Sequence, residues 1–567
     1  MAAPFNRSGS HPPSPSPTGP ADWILSGGRI WTGVGQPPGT DAIALKDGRV
    51  LAVGTTAELE GLRGPQTAEL ALEGRFLMPG FVDAHVHLQA GGLHLSGVDL
   101  RGADSPEALV GRVADRARLT PGRGWILGGD WDHDLWGGVL PNREWLDRAA
   151  PDRPVFLHRT DLHMAVVSSR ALEIAGISRH TPDPENGWID REPDTGEPTG
   201  ILRERSMELV SRVLPPPSRE DRRAALGAAV LHALERGVTQ LHDMGALHSA
   251  EQSWQSLHTL RTLSQEGRLP IRVVAAIPVA DQAELVRFIQ EEGNGDERLS
   301  WGMVKGFVDG SLGSSTAWMH EPYIGEPANT GHIITDLDEL SHDLRRAALA
   351  GLQPCVHAIG DRANDWMLAV ARQIREENPG RDLRVRIEHA QHLSREALDR
   401  VAESGAIFSV QPLHMVDDGR MVERSLGPDR AVRSFAYRSL LDRGGLLAFG
   451  SDWTVAPIDP VGALQAAVTR RLWQPAEWRW GQPWIPEQQI ALEEALLAHT
   501  IGGARAGFLD HETGTLEPGK RADLVVLAAD PFTTPPEEWR ERLKLDMTFV
   551  DGALVHQVHD VTLGMAL

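Results

Sequence analysis

Through the middle of the chain, short apolar runs alternate with longer amphipathic stretches. This is the pattern of strands joined by crossover helices in a parallel sheet. Eight runs read as strands: Phe81–His87, Val238–His242, Ile271–Ile277, Met303–Val308, Leu352–His357, Arg384–His389, Ala406–Gln411 and Leu446–Asp452. Eight βα units predict a closed (β/α)8 TIM barrel of the α/β class. An open doubly wound sheet is the alternative, but it carries a Gly-rich phosphate turn after its first strand, and none follows Phe81–His87.

One spacing breaks the rhythm. Val238 lies 151 residues beyond His87, where a βαβ unit needs ~30. Residues 95–225 are therefore expected to form an inserted α/β subdomain after the first strand and its loop (79–94). Within it, Trp125–Leu127 and Val155–Leu157 read as strands and Ser169–Ala175 as helix. The rest of the barrel is expected over 226–508. Short β-like runs also occur at both ends. In 21–78 they are Trp23–Leu25, Arg29–Trp31, Ala42–Leu45 and Val50–Val53, with a hairpin turn at Lys46-Asp47-Gly48. In 509–567 they are Ala522–Ala528 and Met547–Val555, the latter turning at Asp551-Gly552. The two ends together predict one small β domain. Residues 1–20 are rich in Pro, Ser and Gly without periodicity and read as a disordered tail.

Composition narrows the function classes. With 567 residues, 41% of them hydrophobic, the chain can bury a large core. A net charge of −22 argues against nucleic acid and anionic membranes as partners, since both select basic surface. The single cysteine, Cys355, cannot form an internal disulfide. No apolar run reaches the ~18 residues of a membrane span, and no secretory apolar region opens the chain. A cytoplasmic protein acting on a small molecule is the expectation, and a homo-oligomer is compatible with it. Only four of the 56 basic residues are lysine: Lys46, Lys305, Lys520 and Lys544. A chain that prefers arginine yet keeps Lys305 inside an apolar run points to a need for an amine there.

The chemistry-bearing residues gather at strand ends. His85 and His87 close the first strand at i and i+2, so both imidazoles face one side and can grip one metal ion. The competing reading, solvent-facing histidines on a hairpin, fits poorly with the apolar Phe81-Val82 before them. Lys305 sits within the fourth strand. Buried, it must be paired, for example with Asp309, or neutralised, and reaction with CO₂ would make it an anionic carbamate ligand. His357 and His389 end the fifth and sixth strands. A lone strand-end histidine is more often a satisfied core residue, but two on consecutive strands, beside a His-x-His pair, favour metal. Asp452 closes the eighth strand, where it can ligate a metal and serve as general base; its bland reading is a turn cap with Ser451. Active sites of such barrels lie at the C-terminal ends of the strands. The joint set suits one or two divalent ions per chain, zinc by ligand type, acidifying a water that attacks a polarised carbonyl.

These residues and their surroundings resemble the amidohydrolase superfamily, and within it the amidohydrolase-3 branch of YtcJ-like proteins and N-substituted formamide deformylases. MPGFVDAHVHL is similar to the first-strand metal motif, implying His85 and His87 as ligands. VKGFVDGSLGS resembles the strand of the bridging, usually carboxylated lysine (Lys305). CVHAIGDRAND, RIEHAQHL and LAFGSDW resemble the motifs that carry His357, His389 and Asp452. GTLEPGKRADLVVL is similar to the superfamily's C-terminal β-domain signature. The resemblance implies hydrolysis of amide-type, non-peptide C–N bonds and a β-sandwich built from both termini. It also implies substrate-side residues in the insert: Trp131, Asp132 and Trp136 in GWILGGDWDHDLW, and Asp161 and His163 in LHRTDLHMAVVSSRAL. With Trp131 and Trp136, Trp318 and Trp453 are placed to line an aromatic pocket. Substrate-facing positions depart from the branch: Leu162 replaces a glycine, Ser168 an asparagine, Ser315 an arginine and Thr454 a proline. Competing readings are a deaminase or cyclic-amide hydrolase on the same scaffold, and a non-catalytic binding homologue, which would be expected to have lost ligands.

Overall fold

The computed structural model describes residues 17–558 except 36, 38, 121, 123, 160–163, 185–186, 247–248 and 475–478. Most of the predicted tail thus lies outside the described residues. The chain divides into two units, Gln89–Ala229 and the remainder.

The larger unit contains an eight-stranded parallel sheet in sequence order: β1 (Phe81–Val86), β2 (Val238–Asp243), β3 (Arg272–Pro278), β4 (Leu299–Phe307), β5 (Gln353–Ala358), β6 (Arg386–His389), β7 (Ile407–Val410) and β8 (Leu446–Phe449). The predicted strands occur in the predicted order. The last is shorter than predicted: β8 stops at Phe449, so Asp452 lies in the following loop, at φ 57°. That loop closes the barrel. The Asp452 N–H donates to the His85 carbonyl at 2.7 Å, and the His87 N–H to the Trp453 carbonyl at 2.8 Å. Gly450 permits this approach, since a Cβ there would stand 2.6 Å from the His85 nitrogen and 2.8 Å from its Cβ.

Two further sheets of this unit form the β domain. One pairs four N-terminal strands, Trp23–Ser26, Ala42–Lys46, Arg49–Gly54 and Ala68–Ala71. The other mixes both ends of the chain: Arg29–Ile30, Phe76–Pro79, Leu524–Leu527, Leu545–Val550 and Ala553–Gln557. Leu25, Ile43 and Leu45 of the first sheet share one buried cluster with Leu77, Leu524 and Phe549 of the second, as in a sandwich. Both predicted hairpin turns carry positive φ at each central residue, Asp47-Gly48 (48° and 75°) and Asp551-Gly552 (49° and 67°). That is the geometry an Asp-Gly turn favours. Buried Arg272 at the start of β3 ties barrel to sandwich through Asp523, at 2.7 and 3.1 Å, and Asp551.

The unit Gln89–Ala229 is wider than the predicted insert. It holds a six-stranded mixed sheet, ordered Gly187–Arg191, Pro198–Glu204, Met164–Val167, Val155–Arg159, Ile126–Trp131 and Val98–Asp99. Two separate apolar clusters pack within this unit, one including Leu109, Val113 and Leu146, the other Phe156, Leu172 and Ile189. Among the described residues, no helix is long and apolar enough to cross a membrane.

Candidate metal centre

His85 and His87 point the same way, as their i, i+2 spacing requires; their ring centroids are 5.5 Å apart. Asp452 joins them from beyond β8, with Oδ1 3.2 Å from His87 Nε2 and 3.5 Å from His85 Nε2. These three buried side chains form one group able to hold a cation. A second group shares Asp452 and adds His389 and His414. The His389 ring is 5.0 Å from that of His85, 4.5 Å from that of His357 and 6.0 Å from that of His414.

Each of the four predicted histidines meets an acceptor through one nitrogen. His85 Nδ1 lies 2.7 Å from Glu388 Oε2, His87 Nδ1 2.7 Å from the Gly245 carbonyl, and His389 Nδ1 2.8 Å from Gln411 Oε1. His357 uses the other nitrogen, Nε2, 3.0 Å from the Gly310 carbonyl. An acceptor on one nitrogen assigns the proton there and leaves the lone pair on the other, as metal-ligating histidines require. Burial also keeps three of the rings neutral, holding His85 at about 4 and His357 at about 3, and His389 well below the ordinary histidine value. Neutral imidazole is the ligating form.

The acceptors are themselves fixed. Glu388 is fully buried and receives Nε and Nη2 of Arg386 at 2.8 and 3.1 Å. Burial would raise the Glu388 carboxyl, but the guanidinium outweighs this and holds it well below the usual range, ionised. Arg386 also donates to the Ala84 carbonyl at 2.6 Å and to Ser409 Oγ at 3.1 Å. Asp243 accepts from the backbone N–H groups of Leu88 and Gly245, at 3.0 and 3.2 Å, and so shapes the loop that presents the Gly245 carbonyl to His87.

β6 departs from strict alternation. Glu388 and His389 are neighbours, yet both reach the region around His85. Alternation would send them to opposite faces, but His389 has φ 74°. Asp452 likewise sits in the left-handed region. Two non-glycine residues held there mark stored backbone strain, about 1–3 kcal/mol each.

Lys305 is buried, its Nζ 3.5 Å from His85 Nε2 and 4.9 Å from the Phe307 ring centre. Burial lowers its pKa below the ordinary lysine value, against the pull of Glu388 and Asp452. The pairing partner considered from sequence is otherwise engaged, since Asp309 accepts three backbone N–H groups: Gly360 at 2.7 Å, Trp318 at 2.8 Å and Ile359 at 2.9 Å. Asp309 thereby ties the segment carrying Trp318 to the loop after His357.

The candidate substrate residues scatter. Trp318 is half-buried, with Arg362 stacked 4.5 Å above its ring. Trp453 is 4% exposed and stacked on His232 at 4.9 Å. In the inserted unit, Trp131 is fully buried in an apolar cluster and its Nε1 donates to the Leu157 carbonyl at 2.9 Å. That ring serves as packing rather than an exposed wall. Asp132 pairs with Arg159 at 3.0 Å, and Trp136 packs on the same cluster as Trp131. Asp161 and His163 lie outside the described residues.

Sequence reasoning missed His414, Glu388 and Arg386. His414 lies in the helix Pro412–Leu426, four residues beyond the end of β7 rather than in a strand. Arg386 and Glu388 did leave a signal: two opposite charges at i and i+2, on one face of a strand that is buried throughout.

The donor set of imidazole nitrogens and one carboxylate suits a zinc-like divalent cation. Two buried atoms in it, His414 Nε2 and Asp452 Oδ1, have no hydrogen-bond partner among the described residues. Buried polar atoms are rarely left so, and a cation would satisfy both, so the residues fit a metal. Comparison with known proteins agrees. The chain is 41% identical to the Arabidopsis thaliana protein LONG AFTER FAR-RED 3, over 90% of this chain and 88% of that one. It is 28% identical to an N-substituted formamide deformylase of Arthrobacter pascens, over 91% and 95%. The structure of an uncharacterized metal-dependent hydrolase from Pyrococcus furiosus matches with TM-score 0.71 at 32% identity, covering 90% of this chain and all of that one. Residues 68–556 match the amidohydrolase family model, and the chain belongs to that family.

Proposed function

We propose that this protein is a metal-dependent hydrolase that cleaves a non-peptide C–N bond, of amide, N-acyl or N-formyl type, in a small molecule. The observation that carries the reading is the set of histidines whose tautomers are fixed by buried acceptors. Metal-ligating histidines are held in this way, and here His85, His87 and His389 also converge with Asp452 in groups able to hold a cation. Similarity to an N-substituted formamide deformylase supports the bond type.

His85, His87 and Asp452 would hold one divalent cation, zinc by ligand type, and a carbamate on Lys305 would add a further anionic ligand. The chemistry supplied from that position is Lewis acidity: polarisation of a carbonyl and acidification of water. Burial lowers the Lys305 pKa below the ordinary lysine value, a shift toward the neutral amine that combines with CO₂. Asp452 lies beside the same pocket, with Oδ1 3.2 Å from His87 Nε2 and 3.5 Å from His85 Nε2. Its carboxylate is placed to take the proton of the attacking water and return it to the departing nitrogen, which leaves as a neutral amine. Trp318, half-buried beyond the Asp309 turn, is the aromatic side chain assigned to the substrate.

The test is release of amine and carboxylic acid from a panel of N-formyl and N-acyl amines by zinc-, manganese- and cobalt-loaded protein. Turnover abolished by a chelator and restored by metal is expected. Metal-loaded protein that releases ammonia from amidines or aminopurines, and nothing from amides, would overturn the bond assignment in favour of deamination.

A further inference from the structure

The sequence places every ligand at a strand end, and the second triad of the structure departs from that rule. We infer that His414, on the helix that follows β7, is a metal ligand, and that with His389 and Asp452 it forms a second cation pocket beside the one built on His85 and His87. The inference rests on the metal-dependent reading above.

Four observations converge on it. First, His414 is 8% exposed and Asp452 7%, and His414 Nε2 has no hydrogen-bond partner among the described residues. Left bare, a buried ring nitrogen of this kind is costly. Second, the spacing fits a shared ion better than a direct contact. His414 Nε2 lies 3.8 Å from Asp452 Oδ2, too long for a hydrogen bond. It is within the roughly 4 Å that two ligand bonds of ~2.1 Å can span. Third, the two oxygens of Asp452 face different partners. Oδ1 lies nearest His85 and His87, while Oδ2 faces His414. One carboxylate can therefore serve both pockets. Fourth, a single segment prepares the second pocket. Gln411 accepts from His389 Nδ1 at 2.8 Å and so frees His389 Nε2 as a donor of its lone pair. His414 follows three residues later, about one helical turn on, with its ring stacked 6.0 Å from that of His389 at an interplanar angle of 12°. Pro412 at the start of the helix and its fixed φ help set the direction of that turn.

His414 differs from the four strand-end histidines in that no acceptor is fixed on its ring among the described residues. A ligand without such an anchor binds its metal less tightly, so the second pocket is the weaker of the two.

The experiment is metal content by elemental mass spectrometry after equilibration at fixed free zinc, with cobalt(II) absorption as an independent readout of coordination. Wild-type protein is expected to bind two equivalents in two steps. His414→Ala and His414→Gln are expected to lose the weaker equivalent, or to bind it about a hundredfold more weakly, with the tighter step and the circular dichroism spectrum unchanged. Wild-type protein that saturates at one equivalent would overturn the inference without any variant. So would two equivalents of undiminished affinity in both variants. Wild-type protein that binds no metal at all would instead bring down the proposed function itself, and the two failures are thereby told apart.

Discussion

Glu388→Gln tests the metal centre through a residue that touches no substrate. The side chain is fully buried and holds three hydrogen bonds, two from Arg386 at 2.8 and 3.1 Å and one with His85 Nδ1 at 2.7 Å. The amide keeps the shape and removes the charge, and it cannot serve both neighbours. With its oxygen toward His85, its NH₂ faces the guanidinium. With its NH₂ toward His85, it forces Nδ1 to accept, moves the ring proton to Nε2 and removes a ligand. Breaking a buried ion pair on one side costs about 3–5 kcal/mol, and losing the partner that orients a ligating histidine weakens metal 10–100-fold. Denaturant unfolding and competition with a zinc chelator measure the two effects separately. The double variant Arg386→Met/Glu388→Gln removes the unpaired cation, so part of the stability should return while metal affinity stays low. Wild-type zinc affinity in Glu388→Gln, with unchanged unfolding, would refute the reasoning.

Further outcomes are expected. Asp452→Asn should keep its fold, since asparagine tolerates the left-handed backbone at φ 57°, while turnover falls by about 10²–10⁴-fold; near wild-type turnover would remove Asp452 from the chemistry. Trp131→Ala should destabilise the inserted unit by about 3–5 kcal/mol, read by hydrogen exchange, with zinc content unchanged; a raised KM without loss of protection would instead place this ring against substrate. Gly450→Ala should displace His85, because the new Cβ would lie 2.6 Å from its backbone nitrogen, and zinc affinity should drop; unaltered affinity would show that the closing loop gives way. His499 is buried, and burial holds its pKa at about 4, against about 6.5 in the unfolded chain. The unfolded state therefore takes up a proton first as pH falls from 6.5 towards 4, and up to about 3 kcal/mol of stability is lost in that window. Unfolding curves at pH 7.5 and 4.5 should show a smaller loss in His499→Gln, which retains a donor for the Val82 carbonyl 2.9 Å from His499 Nδ1; equal losses would contradict it.

Local pattern accounts for much of this molecule. Alternation along a strand is a property of a few consecutive residues, so His85 and His87 declare their common face within MPGFVDAHVH. The eight apolar runs likewise declare the barrel, and the gap before Val238 the insertion. Asp47-Gly48 and Asp551-Gly552 announce their hairpins because only a few residue pairs tolerate two positive φ values in succession. Other features exist only once the barrel has closed. His389 is turned by a left-handed backbone that no alternation rule anticipates. Asp452 reaches His87 because β8 ends early and Gly450 lets the next loop lie against β1. His414 sits on a helix whose pattern looks ordinary, 38 residues before Asp452 and 25 after His389, with no local cue that the three would meet. Trp131 reads as a pocket wall from its neighbours in the chain, yet its ring lies in the core of the inserted unit. The division has one physical cause. Periodicity and turn preference act through adjacent backbone dihedrals, whereas a metal centre is a convergence of side chains from distant segments, set by strand register, loop closure and burial that arise only when the whole sheet is assembled.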